Sequence, residues 1–353
     1  MRVFHAFAGI ILASLFFPLW AQGASWEALT EKGLAAYQQG HYQEAERHFE
    51  AALEIAKGFK VSDPRYPDSF YNLAHAYMAQ GKYDKAEALL LQLLDRQEKA
   101  LGPDHPDVAI TFNALGELFS AQGKYREAEK YHRLALELQK RVLGPDHPEV
   151  VITLTALGRV YCAQGRYDKA APLYRQALEI TERALGSEHL RVAEGLTFLA
   201  SSCFATGHYA NAERLLKRAL SIAERNLGPE HPMVAAIEKD LGATYKAQGE
   251  LKKALKAYLK ALDVFKKALG PRHMEVAHVL VELGDLYRLL KRYEDADRAY
   301  RDALAIAEEH LGPKDPYIAT ILQGYVVLLL ETGRQEEAAK MEERIKAILK
   351  NKP

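Results

Sequence analysis

Leu101-Gly102-Pro103-Asp104-His105-Pro106 returns as Leu143 to Pro148, and again as Leu227 to Pro232 with Glu230 in place of the aspartate. Altered forms begin at Leu185, Leu269 and Leu311, so the spacing is 42 residues each time. Self-similarity at a period of about 20–50 residues marks a stacked array, in which each unit buries its apolar face on the next. The repeat therefore decides the architecture before any single residue does.

Each period resolves into two helical stretches. Leu115-Gly116-x-x-Phe119 recurs as Leu157-Gly158-x-x-Tyr161, Leu241-Gly242-x-x-Tyr245 and Leu283-Gly284-x-x-Tyr287. Its apolar residues sit at the i, i+4 spacing that lines one helix face. A turn follows at Gly81-Lys82-Tyr83, Gly123-Lys124-Tyr125, Gly165-Arg166-Tyr167 and Gly207-His208-Tyr209, with glycine where a chain leaves a helix in the left-handed region. Three residues past the turn aromatic, or past Leu251 and Gln335 where two units lack it, stand Ala45, Ala86, Ala128, Ala170, Ala212, Ala254, Ala296 and Ala338, one per unit. A methyl suits a close helix crossing that a larger group would overpack.

These residues resemble the tetratricopeptide repeat, a helix-turn-helix unit, and the 42-residue period with its Leu-Gly-Pro-Asp-His-Pro linker resembles the kinesin-light-chain subtype. The resemblance covers essentially all of the chain beyond its first two dozen residues. It implies an all-α fold, a right-handed α-solenoid of about eight helix-turn-helix units over 24–353, with the last helix (335–350) as a C-terminal cap. It also implies a protein that binds a peptide or another protein on the concave face lined by the first helices.

Lys plus Arg equal Asp plus Glu at 47 each, which leaves no net field to draw in nucleic acid or an anionic membrane. Residues 1–23 form a separate object. Met1-Arg2 is a short positive region, Val3 to Phe17 an uncharged apolar run, and Ala21-Gln22-Gly23 follows the break at Pro18. The pattern predicts a cleaved secretory signal and a periplasmic or secreted product. A retained anchor is the competing reading, but the run falls short of the roughly 20 residues that span a bilayer. Insertion of the mature chain in a membrane is not expected.

Export permits disulfides, yet Cys162 and Cys203 lie in neighbouring first helices, whose axes are expected about 8–10 Å apart. A bridge needs Cα atoms within about 7 Å, so two free thiols are expected, with Cys203 directed into the core. His105, His147, His189, His231 and His273 recur once per unit before a first helix. Metal ligands must converge within about 2.0–2.1 Å of one ion, and one repeat of translation holds these rings too far apart. They are expected to shape the loop. No phosphate loop, nucleophile elbow or Cys-x-x-Cys pair is present; neither an enzyme nor a cofactor or metal is expected.

Function is therefore sought on the first helices. Counting two residues either side of each core leucine places Tyr71, Asn113, Thr155 and Thr197 in one column and His75, Glu117, Arg159 and Ser201 in another, with Asn72 beside them. By the resemblance, these nine residues form the expected partner-binding face. Kinesin-light-chain repeats commonly carry an Asn-Asn pair before the core leucine. This chain has Asn72 and Asn113 but Thr155-Ala156, Thr197-Phe198 and Lys239-Asp240 elsewhere, so a continuous backbone clamp is not expected. A non-enzymatic interaction scaffold exported to a bacterial envelope fits best. A self-associating structural module, or an accessory subunit of an envelope enzyme or transport complex, is the alternative.

Overall fold

A computed structural model describes residues 25–350; the proposed signal at 1–23 lies outside them. Among the described residues there are sixteen helices and no strand, in two compact units. The first unit, ending at Gly144, holds α1 (Trp26–Gln38), α2 (Tyr42–Ala56), α3 (Arg65–Ala79), α4 (Tyr83–Leu101), α5 (Pro106–Ala121) and α6 (Tyr125–Val142). The second, from Pro145, holds α7 (Pro148–Ala163), α8 (Tyr167–Leu185), α9 (Leu190–Ala205), α10 (Tyr209–Leu227), α11 (Pro232–Ala247), α12 (Leu251–Leu269), α13 (Met274–Leu289), α14 (Tyr293–Leu311), α15 (Pro316–Glu331) and α16 (Gln335–Lys350). Odd and even helices pair as hairpins, and each hairpin packs on its sequence neighbour within its unit.

The hairpin turn is set by backbone chemistry. At the end of α7, Gly165 adopts φ +71°, its N–H bonds Cys162 O at 2.9 Å, and Arg166 N–H bonds Tyr161 O at 2.8 Å. That is the Schellman arrangement, which satisfies carbonyls the helix end would otherwise orphan. In the α13–α14 turn the same left-handed position is held by Lys291 at φ +59°, where a side chain is strained.

The eight alanines after the turns are each at most 1 % exposed, so the even helices cross the odd ones with only a methyl between them. Opposite, the glycine of the Leu-Gly motif admits a ring. Gly116 faces His132, Gly158 faces Tyr174, Gly242 faces Tyr258 and Gly284 faces Tyr300. Where the odd helix carries Ala74 or Ala200, the even helix carries Leu90 or Leu216 at the corresponding place. Volume is thus conserved pair by pair, as close packing requires. In α16, Glu342 and Lys346 are exposed at positions where α14 buries Tyr300 and Leu304, the polar outer face a terminal helix of an array needs.

Candidate functional site

The histidine column caps helices. His105, His147, His189, His231 and His273 each precede an odd helix, and each accepts through Nδ1 from the backbone N–H two residues on, at 3.1–3.3 Å. Asp315 does the same for α15 at 2.8 Å. An N-cap acceptor satisfies one of the orphan donors of a helix start. Beside the caps runs a ladder of loop-to-helix ion pairs: Asp104 with Arg141 in the first unit, and in the second Asp146 with Arg183 at 2.6 Å and Glu188 with Arg225 at 2.5 Å. At Arg272 and Glu309 the signs are exchanged and the pair is kept. Among the described residues no three His, Cys, Asp or Glu side chains converge as metal ligands, and no helix is long and apolar enough to cross a membrane.

In the first unit the expected site residues lie on α3 and α5. Tyr71 and Asn72 are half-buried, while His75 and Glu117 are exposed and face each other at 3.8 Å. Tyr71 donates to Thr111 Oγ1 at 2.8 Å, and Thr111 donates to the buried Gln97 at 2.5 Å. Burial pushes the Tyr71 phenol up to about 12. Asn113 is buried, with Oδ1 3.0 Å from His132 Nδ1 on α6. Of the expected partner-binding residues, Asn113 is thus buried and Tyr71 half-buried with its hydroxyl engaged. Tyr71 braces α3 to α5, and Asn113 ties the hairpin interior together at the tip of the ring that Gly116 admits.

In the second unit α7 and α9 carry the rest. Thr155 and Thr197 are half-buried, Arg159 and Ser201 exposed. Thr197 and Ser201 donate back to the carbonyls of Glu194 and Phe198 on their own helix. Arg159 makes no ion pair among the described residues, and its charge acts on the Tyr174 phenol. Ile152 shares the Arg159 face at i, i+7 and is 57 % exposed; Phe204, on the Thr197 and Ser201 face, is 37 % exposed. Cys162 and Cys203 are free and both half-buried. Cys162 Sγ lies 3.7 Å from Tyr174 Oη and Ser202 Oγ, and burial pushes the Cys203 thiol up.

Further along the second unit the odd helices are closed by charge. Lys239 on α11 donates to Glu275 on α13 at 2.8 Å, Lys246 to Glu282 at 2.6 Å, and Arg288 on α13 to Glu331 on α15 at 2.6 Å. Tyr258 donates to Glu282 at 2.9 Å and Tyr300 to Asp285. Asp240 has no ion-pair partner among the described residues. Its carboxyl is pushed up to about 6 by the protein crowded around it, with Glu275 and Glu282 adding and Lys239 opposing. The side chain still reaches solvent, so it lies on an open but protein-lined surface. This network went unread in the sequence, although the 36-residue spacing from Lys239 to Glu275 and from Lys246 to Glu282 is its signal.

Comparison with known proteins agrees with this geometry. A tetratricopeptide repeat model matches residues 67–141, 121–183, 155–225, 191–267, 240–309 and 275–351, and a second matches 26–59. No curated protein matches the chain. Among solved structures it is similar to BtubC (BKLC) from P. vanneervenii, at 22 % identity and TM-score 0.55 over 69 % of this chain and 93 % of that one. It is similar to kinesin light chain repeats from Podosopora anserina, at 28 % identity and TM-score 0.52 over 57 % and 95 %. A Rap protein complexed with competence and sporulation factor shares the fold at 15 % identity and TM-score 0.56 over 92 % and 98 %. With the family models running through both units and kinesin light chain-like repeats among its structural neighbours, the chain belongs to the tetratricopeptide repeat family.

Proposed function

We propose that this chain is a non-enzymatic interaction scaffold, exported to a bacterial envelope by its N-terminal segment, that takes a peptide or protein partner on the exposed faces of its odd helices. In the second unit the seat is α7 and α9. The observation that carries this is the exposed Arg159, which makes no ion pair among the described residues and shares its face with the exposed Ile152, with Phe204 exposed on α9, whereas Lys239, Lys246 and Arg288 are each paired with a carboxylate of the next odd helix. An exposed arginine with flanking apolar side chains is the composition in which interface energy concentrates. Phe204 and Ile152 supply apolar area, and Arg159 supplies a charge that a partner carboxylate satisfies.

The test is crosslinked capture from envelope extract with the mature chain as bait. Replacing Ile152 by Ser and Arg159 by Ala should cut recovery of the partner by about tenfold or more, since hot-spot losses run to about 2 kcal/mol. Replacing the exposed Glu127 and Lys130 of α6 by Ala should leave it unchanged. Loss with the α6 variant and none with the α7 variant would sink the reading. Export is tested separately, by amino-terminal sequencing of native protein, which should begin at or within two residues of Ala24.

A further inference from the structure

The acceptors at the starts of the odd helices form a column at 42-residue spacing: Asp63, His105, His147, His189, His231, His273 and Asp315. Each accepts from the backbone N–H two residues on. Asp63 does so from Arg65 at 3.0 Å, Asp315 from Tyr317 at 2.8 Å, and the histidines through Nδ1 at 3.1–3.3 Å. Five histidines thus stand in sequence between two aspartates that make the same bond. We propose that these five caps are an acid-sensitive latch: from about pH 7.5 to about pH 5 they release the starts of α5 in the first unit and of α7, α9, α11 and α13 in the second, while α3 and α15 stay capped.

The chemistry of the acceptor is the first argument. An Nδ1 that accepts from an N–H carries no proton, so the proton of the neutral ring is on Nε2. Protonation makes Nδ1 a donor. The bond to the helix is then lost, and a positive ring is left beside the positive end of the helix dipole. Imidazole undergoes this change between about pH 5 and pH 8, where a carboxylate stays ionised. The folded start of the helix needs the neutral ring and the unfolded chain does not. The stability that each cap contributes is therefore present at higher pH and lost as pH falls through that range. All five rings are half-buried or exposed, so protons reach them. Asp63, held below the usual carboxylate range by its bond to Arg65, remains an acceptor throughout.

The charges around the rings grade the effect. Beside each ring runs a loop-to-helix pair, Asp104 with Arg141, Asp146 with Arg183, Glu188 with Arg225, Glu230 with Lys267 or Arg272 with Glu309, which brings one charge of each sign. What differs is the residue two positions on. Asp107 stands 3.7 Å from His105, with Asp68 of α3 acting on it. Glu149 and Glu275 hold the same place after His147 and His273. Glu275 is bonded to Lys239 of α11 and lies 3.5 Å from His278, and His310 of α14 meets the Arg272 carbonyl. A carboxylate in this place favours the protonated ring and softens the release. His189 is instead followed by Arg191, with Arg218 of α10 at the Ser187 carbonyl, and His231 by Met233. The starts of α9 and α11 are therefore released most.

The experiment is amide hydrogen exchange of the full chain at about pH 7.5 and about pH 5, with rates corrected for the intrinsic effect of pH. The amides two residues past the histidine caps should lose protection by about two- to thirtyfold at the lower pH, the range that loss of a cap implies, and most at Arg191 and Met233. Those of Arg65 and Tyr317 should stay within about twofold. His189→Asp should abolish the loss at Arg191 and leave it at Met233. With all five histidines changed to Asp, the urea midpoint should fall less on acidification than the parent's. Asp240, whose contribution changes with the opposite sign in this window, is common to both chains and cancels. Circular dichroism should show both variants folded, since aspartate already serves at 63 and 315. Equal loss at the aspartate-capped and histidine-capped helices, or an unchanged acid response at Arg191 in His189→Asp, would overturn the proposal.

Discussion

The Cβ that Gly158 lacks would stand 2.5 Å from Cε1 of Tyr174, inside any real contact distance. The glycine of the Leu-Gly motif is thus the socket of the ring that crosses to it from α8, and the Tyr174 hydroxyl emerges beside Cys162. Gly158→Ala should cost about 1–3 kcal/mol, as overpacking a closed core does. Made in a Tyr174→Leu background, which copies the native Ala200 and Leu216 combination, the same change should cost less than half as much. Urea denaturation of the four members of the cycle measures the coupling; additive costs would mean the ring and the glycine are not one packing unit.

Asn113 separates an interior role from a surface one. Asn113→Ala removes the 3.0 Å partner of His132 Nδ1 inside the α5–α6 hairpin and should cost about 1–3 kcal/mol of stability. Arg159→Ala, on an exposed face, should stay within about 0.5 kcal/mol of the parent. The comparison is read from melting curves at matched ionic strength.

His189 accepts from Arg191 N–H at 3.1 Å at the start of α9. His189→Ala should destabilise by about 0.5–2 kcal/mol, while His189→Asp should hold or raise stability, because aspartate is a strong N-cap and its charge suits a helix start. Asp315 already serves α15 in this way. Hydrogen exchange of the first turn of α9 reports the effect locally.

Lys291 occupies a left-handed position that glycine fills in the other turns, Gly165 and Gly207 among them. Lys291→Gly should therefore raise stability by about 1 kcal/mol, the steric cost of the left-handed region for a residue with a side chain. A lower melting temperature would show that the Lys291 side chain supplies a compensating contact.

Asp240 predicts a pH dependence. Its folded value is raised to about 6, so between roughly pH 4 and pH 6 the folded state holds the proton that the unfolded state releases, and stability falls as pH rises through that window. Asp240→Asn removes the penalised charge. The variant should exceed the parent in urea midpoint at pH 7, and the difference should vanish near pH 4. Glu275 works in the opposite direction: burial pushes it up, but its bond to Lys239 holds it below its usual value, and taking variant minus parent largely cancels that contribution.

The sequence by itself determined the repeat, the helix pairs and the buried columns. Those rest on local chemistry and on periodicity: Gly165 ends a helix, Pro148 begins one, and Ala170 recurs every 42 residues because every hairpin crosses the same way. Only tertiary structure decided which polar residues on the odd helices are spent. Tyr71 and Asn113 share columns with Thr155 and Thr197, yet their neighbours Thr111 and His132 absorb them. Lys239 and Glu275 look like independent surface charges until two helices bring them to 2.8 Å. A column in a repeat fixes a direction in space; whether a partner already waits there depends on the side chain that the next helix contributes. That side chain varies from repeat to repeat and obeys no period.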